Sequence, residues 1–152
     1  MSGDVRAVVW IVEGTWETTV DAAAALLPPD AGIELLHVAF DAETFVRAGR
    51  RGLLGRHPHR VGGSESRDLV STASEEEAAG LLADAAERLG RDATRTARRG
   101  RAEDEVLDAA RDADILILAR GGEPDHLGPK SVGHAERFVL DHAACAVLLV
   151  RG

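Results

Sequence analysis

The stretch Asp114-Ile-Leu-Ile-Leu-Ala119 has no polar residue inside it, so a strand made from it has no face fit for water. Such a strand is stable only in a sheet covered on both sides, which is the parallel sheet of an α/β protein. Val5 to Val12 (Val-Arg-Ala-Val-Val-Trp-Ile-Val) reads the same way, as do Ile33 to Phe40 and Ala146 to Val150. A weaker strand is predicted from Ala93 to Ala97. Helical spacing fills the intervals. Trp16, Val20, Ala23, Ala24 and Leu27 form one apolar stripe, with Thr15 placed to cap it and Pro28-Pro29 to stop it. Ser74 and Glu77 have the spacing of a capping box before Leu81, Leu82, Ala85 and Leu89. Val106, Leu107 and Ala110 mark a helix ending near Asp112, and Phe138, Val139 and His142 mark the last one. This alternation predicts a five-stranded parallel α/β sheet with right-handed crossovers and helices on both faces.

The chain has 152 residues, which fits a single domain over 1–152. Hydrophobic residues make up 45%, enough for the core such a sheet needs. A formal charge of −8 repels a polyanion, and only 3% aromatics leave few platforms for stacking bases, so nucleic acid is not the expected partner. One cysteine, Cys145, excludes an internal disulfide and Cys-rich zinc sites; at the start of the last strand it reads as an inert, buried thiol. No apolar run approaches the roughly 20 residues that span a bilayer, and Met-Ser-Gly-Asp-Val-Arg is no signal peptide, so a cytoplasmic location without membrane contact is expected.

Periodicity fails between about 41 and 72. Arg47, Arg50, Arg51, Arg56 and Arg60 accumulate there with no acid between Arg47 and Arg60, which reads as a long Arg-rich loop. His57 and His59 lack the further ligands of a metal site, and no metal is expected. A second loop, Arg120 to Gly133, is rich in glycine and contains Lys130, the one lysine of the chain. Backbone amides of glycines there can approach phosphate oxygens, and the following helix adds partial positive charge. Glu123 and Asp125 oppose an anion in this loop, and Pro124 and Pro129 remove backbone donors. His142 is placed to cap the last helix at its C-terminus.

Asp114 to Gly122, then Gly133 and Arg137-Phe-Val-Leu-Asp-His-Ala-Ala-Cys-Ala-Val-Leu-Leu-Val-Arg151, resembles the C-terminal half of a universal stress protein. Val12-Glu13-Gly14-Thr15 resembles that family's Val-Asp-Gly-Ser turn, and Leu36-His37-Val38 its Leu-His-Val. Gly100-Arg-Ala-Glu-Asp-Glu-Val106 is similar to its Gly-x-Pro-x-x-x-Ile turn, with Ala102 where proline is usual. The resemblance implies a doubly wound sheet of order 3-2-1-4-5, of the adenine nucleotide alpha hydrolase-like type. Ligands of such sheets settle where the strand order reverses, at the carboxyl ends of the first and fourth strands.

Carried onto this chain, the family's nucleotide site falls on Glu13, Gly14 and Thr15 after the first strand and on Val38 near the end of the second. It continues through Ala119, Gly121, Gly122 and Lys130 to Gly133, His134 and Ala135. Ala119 stands at the family's first loop glycine, the spacer from Gly122 to Gly133 is one residue longer than usual, and His134 replaces Ser/Thr. Glu13 replaces the usual Asp. The implied function is a stress-response module that holds ATP or a related adenine nucleotide without efficient turnover, with no catalytic residues. The alternative is a dimeric regulatory protein of the same fold that binds no nucleotide. Glu13 with His134 is the one acid–base pair the fold brings near the crevice. The resemblance also implies a homodimer through the last strand, Ala146, Val147, Leu148, Leu149 and Val150, which lies at a sheet edge.

Overall fold

A computed structural model describes residues 4–40, 64–121 and 132–151. Five parallel strands form one sheet: β1 (Arg6–Trp10), β2 (Gly32–Phe40), β3 (Thr94–Gly100), β4 (Ile115–Ala119) and β5 (Ala146–Val150). Their spatial order is β3-β2-β1-β4-β5, so the order reverses between β1 and β4. In register, Val9 of β1 lies between Leu35 of β2 and Ile117 of β4. The lower end of the sheet is tied by the Asp114 carboxylate, which accepts a hydrogen bond from the Arg6 amide at 2.8 Å.

Among the described residues four helices connect the strands: α1 (Trp16–Leu26), α2 (Ser64–Leu89), α3 (Ala102–Ala109) and α4 (His134–His142). Successive strand residues point to opposite faces, and each face has its own helical layer. On one face Val9, Ile11, Leu35 and Ile117 meet Val20, Ala23 and Leu27 from α1 and its end, and Leu82, Ala85 and Leu89 from α2. On the other, Val8, Trp10, Leu36, Leu116 and Leu118 meet Val106, Ala110 and Val139 from the α3 and α4 layer. The uninterrupted Ile-Leu-Ile-Leu run of β4 is thus explained by burial on both sides.

The structure departs from the sequence expectation at several elements. The helix expected from Ser74 runs from Ser64, so Ser74 lies inside it and opens no capping box. No Gly or Pro interrupts 64–79, and a helix once nucleated continues through such a stretch. The irregular stretch expected over 41–72 is therefore helical from 64; residues 41–63, with the Arg47–Arg60 cluster, His57 and His59, lie outside the described residues. In α1, Ala24 is exposed and Thr19 is buried in its place, its hydroxyl donating to the Thr15 carbonyl at 3.1 Å. Thr15 occupies the N-cap position without a side-chain cap hydrogen bond. β3 runs on past Ala97 to Gly100, because an edge strand need not be apolar and its Arg side chains reach water. The helix expected to end near Asp112 closes at Ala109.

β5 forms the other edge of the described sheet. The Ala146 amide donates to the Asp114 carbonyl at 3.2 Å, and the Arg120 amide to the Val150 carbonyl at 2.8 Å. Backbone groups alternate sides along a strand, so Ala146, Leu148 and Val150 bond toward β4. Those of Val147 and Leu149 face the open edge.

Candidate functional site

Because β1 and β4 are adjacent and parallel, the turns that follow them leave from the same edge of the sheet. Their helices then go to opposite faces, α1 to one and α4 to the other. A crevice opens where two chain paths diverge in this way. After β1 the path makes a turn closed by a hydrogen bond from the Thr15 amide to the Val12 carbonyl at 3.2 Å. Gly14 takes φ +89 there, the left-handed value that a type II turn requires of its third residue, and Glu13 is exposed beside it.

After β4, Ala119 is buried as the last strand residue, and Gly121 follows at the surface. Gly133 is the N-cap of α4. These two glycines close the base of the glycine-rich loop: a Cβ placed on Gly133 would come within 3.2 Å of the Gly121 carbonyl oxygen. Gly122 and Lys130, both expected at this site, lie outside the described residues, as do Glu123, Pro124, Asp125 and Pro129. The neck between Gly121 and Gly133 also holds the side chain of Glu136, two residues after His134 in the first turn of α4. A carboxylate is favoured at that end of a helix by about 0.3–1 kcal/mol.

Four half-buried apolar side chains lie at the carboxyl end of the sheet on the α3/α4 face. Val12 follows β1, Val38 lies near the end of β2, and Ala102 and Ala135 stand in the first turns of α3 and α4. All pack against the same core layer, so Val38 and Ala135 are brought to one side of the sheet. Glu13 lies toward the other side. With Trp16, His37, Glu77, Leu81 and Asp84 it lines a cleft of about 740 Å3 between the start of α1 and α2. His37 donates its Nδ1 hydrogen to the Ile11 carbonyl at 2.9 Å, which fixes the ring at the wall of that cleft.

His134 is the first residue of α4 and is exposed. Its charge acts on Glu103 in the first turn of α3. Glu103 is 8% exposed, and its carboxylate accepts from Arg101 Nε at 2.7 Å, while the Arg101 guanidinium lies 5.6 Å from the centre of the Phe138 ring. Burial pushes the Glu103 pKa up, but its own backbone amide, the Arg101 hydrogen bond and the charges of Arg101 and His134 together bring it below the ordinary value. A lowered carboxylate pKa adds stability that is complete above about pH 4.3 and lost as pH falls through the folded value. Glu103→Gln is therefore expected to flatten the fall in urea midpoint between about pH 5 and 3; an unchanged slope removes this cluster as a contributor.

The sequence announces neither Glu103 nor Glu136. Glu136 does stand three residues after Gly133, the spacing by which an N3 side chain reaches back to its N-cap. His142 caps α4 as expected, donating from Nδ1 to the Phe138 carbonyl at 2.8 Å while its ring stacks on Phe138 at 4.1 Å. Cys145 precedes β5 and is half-buried, and burial pushes its thiol pKa up, away from reactivity. Among the described residues no three His, Cys, Asp or Glu side chains are grouped to hold a metal ion, and no helix is long and apolar enough to cross a membrane.

No protein-family model and no curated protein matches this chain. Solved structures do match, over nearly its whole length. The UspA universal stress protein of Lactobacillus plantarum superposes with TM-score 0.67 at 16% identity, covering 99% of this chain and 100% of that one. A universal stress protein in complex with cAMP superposes at 0.61 and 16% identity, with 99% and 98% covered. The universal stress protein of Archaeoglobus fulgidus in complex with dAMP gives 0.56 at 14% identity, with 98% of each chain covered. With this strand order and a superposition over nearly the whole of both chains, this chain has the universal stress protein fold.

Proposed function

We propose that this chain is a universal stress protein-like module, a single unit over 1–152, that binds an adenine nucleotide at the crevice between β1 and β4 without turning it over. The closure of Gly121 on Gly133 at the start of α4 carries this reading, because it aims a helix N-terminus into the crevice. The half-buried Val12, Val38, Ala102 and Ala135 offer an apolar seat for a base. The fold's occurrence in complexes with cAMP and dAMP supports the choice of ligand class. Glu13, Gly14 and Thr15 would meet the ligand from the β1 side, and Ala119, Gly121, Gly133 and His134 from the β4 side. Glu13 lines the cleft between α1 and α2, whereas His134 opens α4 on the other face of the sheet, which favours binding over hydrolysis.

Isothermal titration of the full chain with adenosine, AMP, cyclic AMP, ADP and ATP tests the proposal. At least one ligand is expected to bind below about 1 mM, an interaction of about −4 kcal/mol. No heat and no thermal shift with any of them at millimolar concentration removes it. The second reading, a dimeric interaction protein that binds no nucleotide, is favoured by Ala119 and His134 where the family has a loop glycine and a hydroxyl. Nucleotide released from acid-quenched, freshly purified protein would count against it. Either protein would act in the cytoplasm.

A further inference from the structure

We propose that Glu136 is a specificity-determining residue whose carboxylate occupies the phosphate seat between Gly121 and Gly133, so that the crevice prefers ligands of low charge to polyphosphates. The proposal rests on the nucleotide-binding reading above. A Cβ added to Gly121 would lie 2.8 Å from Glu136 Cδ, and one added to Gly133 would lie 3.0 Å from it. The space left by two absent side chains is therefore filled by a carboxylate of the chain itself. It sits in the first turn of α4, where an anionic ligand would seek the free amides of the helix.

An incoming phosphate meets two obstacles. The seat is taken, and the group that takes it repels the newcomer. The penalty rises with each further negative charge, so a nucleoside is unaffected, a cyclic monoester is affected little, and a triphosphate most. Nothing in this ranking disturbs the apolar seat for the base, which draws on Val12, Val38, Ala102 and Ala135. Glu136 acts as a built-in competitor for one part of the ligand only.

Titrating adenosine, cyclic AMP and ATP into the full chain and into Glu136→Gln tests this. Gln keeps the length of the side chain and removes its charge. The unaltered chain is expected to bind adenosine about 10-fold or more tighter than ATP. In Glu136→Gln, ATP affinity is expected to rise about 10-fold while adenosine stays within about 2-fold, its retention showing that the variant is folded. An ATP gain under about 3-fold with adenosine still bound overturns the role of Glu136 and leaves the nucleotide reading standing. If neither protein binds adenosine or any nucleotide, that reading fails and this one with it. Should the Gln variant lose adenosine, Glu136→Thr, which empties the seat by shortening the side chain, is read by the same criteria.

Discussion

Leu116→Ala and Ile117→Ala are each expected to lower unfolding free energy by about 3 kcal/mol, within the range of about 2–5 found for such core truncations. Both side chains are fully buried, though they are neighbours in β4 and point to opposite faces. Leu116 packs into the layer of Val106 and Val139, Ile117 into the layer of Val20 and Leu82. Equal costs at adjacent positions are the signature of a sheet covered on both sides; a sheet with one wet face would show one large and one small value. Leu148, in the edge strand and only half-buried, provides the contrast, and its truncation is expected to cost less than about half as much. Urea denaturation at constant m-value reads all three. A cost below about 1 kcal/mol at either central position would mean that one helical layer is not packed as described. Against a typical total of about 5–15 kcal/mol, either central variant leaves a protein only marginally folded on warming.

The same burial explains what could be read from the sequence. β1 and β4 were legible because strands buried on both faces must be nearly continuous apolar runs, and few other structures demand that; β2, with Glu34 and His37, and the half-buried edge strand β5 were legible from their short apolar runs alone. β3 was half legible. Its Arg95, Arg98 and Arg99 suit an edge strand, where side chains can ion-pair with neighbouring elements: Arg98 meets Asp108 at 2.8 Å and Glu105 at 3.3 Å. The start of α2 was misplaced because a capping-box spacing is also an ordinary surface pair three residues apart within a helix, and only tertiary context tells the two apart. Thr19 replaced Ala24 in the core because a hydroxyl that donates to the carbonyl four residues earlier no longer behaves as polar. At the site, the glycines and the turn after β1 were legible through their special backbone demands. Glu103 and Glu136 were not, since a charged residue on a helix is nearly always solvated, and each is held by neighbours that only the fold reveals: Arg101 for the first, Gly121 and Gly133 for the second.

Leu149→Pro is expected to convert a dimer into a monomer while the fold survives. We propose the homodimer through β5 because that strand is apolar along its length and ends the sheet, an arrangement that invites pairing with a second copy. Alternation of the backbone groups makes a selective test available. Ala146 and Val150 bond to the β4 side, so the Leu149 amide points the other way, toward the open edge. Proline at 149 deletes a donor that β4 never uses, and proline is tolerated at edge positions of this kind. Across a two-fold axis each lost hydrogen bond is lost twice. At about 0.5–1.5 kcal/mol per bond, with the proline ring also holding the two edges apart, dimer affinity is expected to fall about 30-fold or more. Leu148→Pro is the counterpart: it removes an amide directed at β4 and is expected to lower the melting temperature sharply. Sedimentation velocity at micromolar protein reads the first variant, and thermal denaturation the second. A chain that sediments as a monomer without any substitution refutes the dimer, and a Leu149→Pro variant that still dimerises moves the interface away from β5.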